Sequence, residues 1–392
     1  MHVLRRTGFC IGFVAVVSVM APVSATTAPA PAVLSAYGPP VSSAIPSAVL
    51  GGPMSLGVSP DGTTRYFGTY GGGVYKTLVS SGATSTIRLP DFNGNTMRAL
   101  ELRPDGKVLY VVDQAAATRS VIFAPLNPPT KPLGHAIPSS FALDVSVAPD
   151  VKHAAIAAGE SIVVMDLATF ATRVIALQRS VESSLSASTL AYGPQGTQLF
   201  FANGADRLER INQDGSARTT LVTGLSQPTL GAIDQMGEIY VGTSNTTAAL
   251  TAQLLRFHGD GTGRTVLLSG YDQISQVALD GTGSVTFFGT KYVGQSVSTT
   301  VVRLPLRSLA PLSPRVTSVT SGRATVSFAR STAAQRTFTV TSSTSPALSC
   351  TTTALSCTVT GLKRGVPVFF TVTSSNGFVT SPKSLPTQTV KP

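Results

Sequence analysis

The chain has 392 residues, a formal net charge of +11 and only 12% charged side chains. Its basic residues are scattered singly, so no stripe or run forms the footprint of a nucleic-acid binder, and the positive balance suits acidic surfaces or ordinary solvated surface. Gly, Ser, Thr and Val are abundant and no long helical periodicity occurs, which excludes a helical bundle and points to an all-β chain long enough for two cores.

Residues 1–25 read as a signal peptide. Arg5-Arg6 precede the apolar run "FCIGFVAVVSVM", and Val23-Ser24-Ala25 supplies the small residues that suit cleavage. Twelve apolar residues are too few for a bilayer-spanning helix, which needs ~20. The mature chain is therefore expected to start near Thr26 with a charge of about +9. It should be secreted, or associated with the cell envelope, with no stable membrane span, and residues 26–39 form an Ala/Pro/Thr-rich leader.

From residue 55 one phrase recurs. "SLGVSPDGTTRYFGTY" at 55–70 returns as "ALELRPDGKVLYVVD" at 99–113. Aligned on the turn, the series is Pro60-Asp61-Gly62, Pro104-Asp105-Gly106, Pro149-Asp150, Pro194-Gln195-Gly196, "DQMG" at 234–237 and "DGTG" at 280–283. Alternating apolar residues precede each turn, as in a strand with one face buried. Pro fixes φ, Asp bonds its own backbone, and Gly accepts positive φ. A second strand follows ("RYFGT", "LYVVD", "LFFAN", "IYVGT", "TFFGT"), then a hairpin, clearest in "LERINQDGSARTTLV" and "LLRFHGDGTGRTVLL". Four short strands every ~45 residues predict a six-bladed β-propeller, because one such unit cannot bury both of its faces alone. The sixth unit stops before a fourth strand, whereas "PVSSAIP" at 40–46 has no blade of its own. The expectation is that 40–46 pairs with 299–306 and closes the ring.

Over roughly residues 40–310 these repeats resemble the TolB-like six-bladed propellers and the bacterial secreted repeats that carry "SPDG" followed by an aromatic strand. The resemblance implies fold rather than activity, since propellers host binding platforms, lactonases, lyases and dehydrogenases alike. After a linker at 311–314, residues 315–392 change period. "ATVSF", "FTVTSS" and "TGLKRGVPVFFTVTSSNG" resemble a bacterial fibronectin type III domain, with Phe328 and Val368 standing where that family usually has Trp and Tyr. Cys350 and Cys357, seven residues apart, are expected to form a disulfide that pins two neighbouring strands. Two thiols at this spacing lack the further ligands zinc takes.

Chemistry is sparse. There is no Gly-x-Ser-x-Gly elbow, no His-Glu-x-x-His and no Gly-rich loop opening a helix. The "DGTG" segments lack the carboxylates of a calcium loop and read as turns. His153 at a strand start and His258 beside a hairpin turn read as structural or exposed. No cofactor or metal is implied. In the propeller families, the loops entering each inner strand and those joining the second strand to the third share one face. The second strands here end in Thr69, Asp113, Asn203, Thr243 and Thr290, with Ala158-Gly159 departing in the third repeat. A ring of such positions could bind a polar ligand, and these residue types also simply suit strand ends. Asp91, His135, Glu182, Tyr271 and Asp272 on the same face would add acid–base capacity, and a His with a Glu from neighbouring blades is similar to the streptogramin-lyase-like propellers. Two functional classes follow: a non-catalytic exported protein binding an extracellular protein or glycan, and an extracellular enzyme of the lyase, lactonase or polysaccharide-hydrolase type.

Overall fold

The computed structural model describes residues 37–49, 53–87, 96–103, 105–114, 119–126, 133–139, 142–177, 188–203, 206–245, 251–294, 296–306, 311–329, 337–344, 346–375 and 380–392. The signal peptide, the leader up to residue 36, Asp91 and Glu182 lie outside them. Every regular element among the described residues is a strand.

Six four-stranded antiparallel sheets follow the repeat. Blade 1 is β2 (Pro53–Val58), β3 (Thr64–Thr69), β4 (Val74–Leu78) and β5 (Thr84–Ile87). Blade 2 is β6 (Thr96–Leu102), β7 (Val108–Gln114), β8 (Arg119–Pro125) and β9 (Leu133–Ala136). Blade 3 is β10 (Asp144–Val147), β11 (His153–Ala157), β12 (Ser161–Asp166) and β13 (Thr172–Ala176). Blade 4 is β14 (Thr189–Tyr192), β15 (Gln198–Ala202), β16 (Leu208–Asn212) and β17 (Thr219–Val222). Blade 5 is β18 (Thr229–Ile233), β19 (Ile239–Gly242), β20 (Ala252–Phe257) and β21 (Thr265–Tyr271). Blade 6 combines β22 (Gln273–Leu279), β23 (Val285–Val293) and β24 (Ser296–Leu304) with β1 (Val41–Ala44) from the start of the chain. The inner strands β2, β6, β10, β14, β18 and β22 neighbour one another in a closed ring, which makes the molecule a six-bladed propeller.

The second strands explain the cohesion. Each is packed by a blade on either side, so both of its faces are apolar. Phe67, Leu109, Ile156, Leu199, Phe201 and Phe287 are all fully buried. Burying each such side chain contributes roughly 1.5–3 kcal/mol before entropy is counted. The turns behave as their chemistry requires, with Gly62, Gly106, Gly196, Gly237 and Gly283 all at positive φ. In blades 5 and 6 the turn is degenerate in sequence because Asp234 and Asp280 have moved to its first position. Asp234 Oδ1 accepts the amides of Met236 and Glu238, and Asp280 Oδ1 those of Thr282 and Ser284, so these carboxylates do the work that Ser59 does for the amide of Thr64 in blade 1.

The expected ring closure is present. β1 pairs antiparallel with β24, with Val41 opposite Arg303 and Ala44 opposite Thr300. The closing segment starts earlier than its polar pattern suggests, within the stretch read as leader. Tyr37 forms a bridge to Leu306, its ring is buried in the core of blades 5 and 6, and its hydroxyl bonds that of Tyr240 at 3.3 Å.

The second unit pairs two three-stranded sheets over one core that includes Val326, Phe328, Phe338, Val340, Phe370 and Val372. One sheet is β25 (Leu312–Thr320), β26 (Arg323–Ala329) and β29 (Ser356–Thr360); the other is β28 (Ser349–Thr352), β27 (Thr337–Ser342) and β30 (Phe370–Ser375). β25 begins at Leu312, inside the segment read as a linker. It is an edge strand whose register shifts between Leu312 and Arg315, and Pro314, which has no amide to donate, is accommodated in that irregularity. The Cys350–Cys357 disulfide forms, and it joins β28 to β29 across the two sheets rather than within one.

Candidate functional site

In each blade the turns between first and second strands and between third and fourth strands emerge at one end of the propeller. The hairpins between second and third strands, and the crossovers to the next blade, emerge at the other. The first end is rich in charge: Asp61, Asp105, Lys107, Asp150, Lys152, Asp214, Asp260 and Arg264 all lie on its turns. The hairpin end carries fewer charges among the described residues, including Asp113, Glu160, Asp206, Arg207, Asp272 and Lys291.

The ring of polar strand ends lies at this hairpin end, and its side chains are engaged in their own hairpins. Thr69 Oγ1 accepts the amide of Gly73 at 3.1 Å, and Thr243 Oγ1 accepts that of Gln253 at 2.8 Å. Thr290 and Thr299 share a hydroxyl–hydroxyl bond across the hairpin at 3.0 Å. Asn203 Oδ1 accepts the amides of Asp206 and Arg207. All four residues are buried. Asp113 lies on β7 as expected, and its side chain is outside the described set. The third blade closes the same turn from the Ala158 amide to the Ser161 carbonyl, with the Ser161 hydroxyl donating back to the Ala158 carbonyl at 3.5 Å.

The acid–base candidates are dispersed. His135, on the outer strand of blade 2, stacks on Phe170 of blade 3 with ring centroids 3.5 Å apart, and burial lowers its pKa. Asp272, in the crossover from blade 5 to blade 6, is fully buried and accepts the Tyr292 amide at 2.7 Å. Blade 2 neighbours blades 1 and 3, so His135 and Asp272 are held by blades that do not adjoin. Tyr271 packs edge-on to Phe287, beneath the ammonium of Lys291, and its hydroxyl bonds Ser42 of the closing strand. These contacts tie it to β1 and β23.

Two features escaped the sequence. The first is the length of the blade 6 hairpin, whose strands run three residues beyond Thr290 and Thr299. It presents Tyr292, Val293 (71% exposed) and Val297 (63% exposed). In blade 1 the equivalent hairpin presents Tyr70, 60% exposed. Phe67 and Phe288 stack between these two blades at 6.2 Å. Tyr70 and Tyr292 lie three and four residues further along the two strands, so both tips leave the same side of the ring. The alternation "KYVGQSV" continuing past Thr290 was the available signal.

The second is a charged network at the opposite end of blade 5. Glu238, buried, holds His258 Nδ1 at 2.9 Å and faces Arg256 Nε at 3.4 Å. Among the described residues no group of three or more His, Cys, Asp or Glu side chains is arranged to hold a metal ion. No described helix is long and apolar enough to cross a membrane.

No protein-family model matches the sequence, and no curated protein matches it. Solved structures of similar fold include the hydrazine synthase of Kuenenia stuttgartiensis, at 17% identity and TM-score 0.45, over 64% of this chain and 78% of that one. Another is the β-propeller domain of Myceliophteria thermophila Cps50 (Swd1), at 14% identity and TM-score 0.49, over 68% of this chain and 89% of that one.

Proposed function

We propose that this is an exported, non-catalytic binding protein that docks an extracellular protein on the hairpin end of its propeller, across blades 6 and 1. The carrying observation is the exposed set Tyr70, Tyr292, Val293 and Val297 at the hairpin tips of blades 6 and 1, where Lys291 is the one charge among the described tip residues. Apolar side chains that project from a rigid hairpin lose little entropy on docking, and aromatic anchors dominate such interfaces. The aliphatic Val293 and Val297 beside the two tyrosines give the set a part that a protein partner can bury and a sugar cannot stack on, which favours a protein over a glycan. Lys291 and the chain's positive balance favour an acidic rim on that partner. The C-terminal unit, read as a fibronectin type III-like module, serves as a spacer or accessory contact. The enzyme alternative rests on His135, Glu182 and Asp272, and the burial of Asp272 and the stacking of His135 weigh against it.

A photo-crosslinking residue at Val293, compared with one at Lys107 on the charged end, tests this in culture medium of the producing cells. A discrete adduct is expected from position 293 alone, and Tyr70→Ser with Val297→Ser should abolish it. Equal labelling from both positions, or an adduct indifferent to the double substitution, would refute the assignment.

A further inference from the structure

At the charged end, the seam between blades 6 and 1 brings two arginines together with one carboxylate. Arg65 on β3 is only 9% exposed, and its single hydrogen-bond partner among the described residues is neutral: Nη1 donates to Ser43 Oγ of the closing strand at 2.7 Å. Arg303 on β24 donates from Nη2 to Asp280 Oδ2 at 2.9 Å and to Ser284 Oγ at 3.0 Å, while its Nε is buried without an acceptor. Asp280 has nothing left to offer. Its Oδ1 already takes the Thr282 amide and hydroxyl and the Ser284 amide, and its Oδ2 lies against Gly62 of the blade 1 turn.

One positive charge at this seam therefore has no counter-ion among the described residues. Burial and the like charge of Arg303 both lower the pKa of Arg65, and no carboxylate offsets them. A buried, unpaired cation is costly, and a guanidinium with free N–H groups is a fork shaped for an oxyanion.

We propose that this seam is a binding site for a phosphate- or sulfate-class oxyanion, held by Arg65 and Arg303 beside Ser43. Bound there, the anion would tie β1, β3 and β24 together, the three strands that meet where the ring closes. Ligand occupancy would thus stabilise closure, since a group bound only by the folded state raises its stability by mass action.

The test uses the full mature chain and inorganic phosphate, with chloride at matched ionic strength as reference. Calorimetric titration should show one saturable site, and saturating phosphate should raise the propeller's melting temperature by about 3 °C. Arg65→Met, which keeps the aliphatic stem and removes the charge, should lose both effects and melt in chloride at or above the wild-type temperature. Arg65→Lys should bind about tenfold more weakly, because a point charge replaces the fork. Absence of a saturable site in the wild type, or unchanged affinity in either variant, overturns the proposal. Should Arg65→Met fail to fold, Arg65→Lys decides alone.

Discussion

The junctions that hold this ring differ in what the chain supplies. Between blades 2 and 5 the inner strands present alternate amides to the axis, where no fifth strand can pair them, and side chains of the preceding blade accept them. Glu101 Oε2 takes the Val147 amide at 3.0 Å, Asp144 Oδ2 that of Leu190 at 2.9 Å, Ser146 Oγ that of Tyr192 at 3.1 Å, and Thr189 Oγ1 that of Leu230 at 2.8 Å. These junctions join blades already adjacent in the chain. At the seam of blades 6 and 1 the described residues form no such belt. Closure there rests on a four-residue strand, the Phe67–Phe288 stack, the anchor Tyr37 and an arginine pair short of negative charge. Blades 5 and 6 use a third device, in which Gly231 and Gly242 let the backbones approach so closely that a Cβ at either would collide with Val277 or Ile274. The lesson is that the junctions from blade 2 to blade 5 are satisfied by local side chains, whereas the long-range one concentrates its cost in few groups.

That contrast predicts a steep asymmetry. Deleting residues 26–46 from the mature chain should abolish cooperative melting of the propeller, because β24 would become an open edge and the blade 5–6 core would lose Tyr37. A truncated protein that melts like the intact one would show that the seam carries no special burden. Next in size, Tyr37→Ala should cost about 3–5 kcal/mol, the range for removing a large buried aromatic, measured by urea unfolding. Tyr37→Phe, which keeps the packing and loses only the bond to Tyr240, should cost about 1 kcal/mol. If both cost the same, Tyr37 acts through its hydroxyl and not as an anchor.

Much of this architecture was legible because a repeat announces itself locally. Pro-Asp-Gly and its variants mark each first turn, and counting strands against turns required β1 to close blade 6. The disulfide was legible from compartment and pairing alone. Other features had no local pattern to read. The axial belt links residues some forty positions apart through side chain and backbone, and only the curvature of the ring brings them together. Tyr37 sits in a Pro/Ala-rich stretch whose composition hides one buried aromatic. Leu312–Pro314 read as a breaker because an edge strand tolerates Pro that a central one would not. The threonines at the strand ends were visible as a ring, but whether their hydroxyls face a ligand or their own hairpin depends on bonds such as Thr243 to Gln253.

A pH titration sharpens the comparison, because the belt contains half-buried carboxylates whose protonation is shifted. Burial pushes Asp144 from its ordinary value of 3.8 up to about 7, and burial with the nearby charge of Asp144 pushes Glu101 the same way. The folded protein then keeps a proton on Asp144 that the unfolded chain releases above pH ~4. Stability from this group is complete below that pH and is lost as pH rises towards 7, with a slope of at most about 1.4 kcal/mol per unit. Asp144→Asn should flatten the decline measured by urea unfolding across that window, leaving the share due to Glu101. Arg65→Met, at the seam, should leave the slope as it is. A wild type whose stability rises through the window would place the charged form of Asp144 in the belt and reverse this account.

The smallest effect is the most specific to the belt. Thr189→Val keeps the shape of the side chain and removes the acceptor for the Leu230 amide, with the methyl of Val filling the space of the hydroxyl. The expected cost is about 1 kcal/mol, the net worth of one such hydrogen bond. Because Thr189 is half-buried, water can reach part of this edge and keeps the penalty from growing larger. Hydrogen exchange locates the effect: the Leu230 amide should lose protection in the variant, while Leu190 and Tyr192, held by Asp144 and Ser146, should not. If Leu230 stays protected, an alternative acceptor serves the axial edge there, and the junction between blades 4 and 5 belongs with the backbone-packed junction of blades 5 and 6 instead of with the belt.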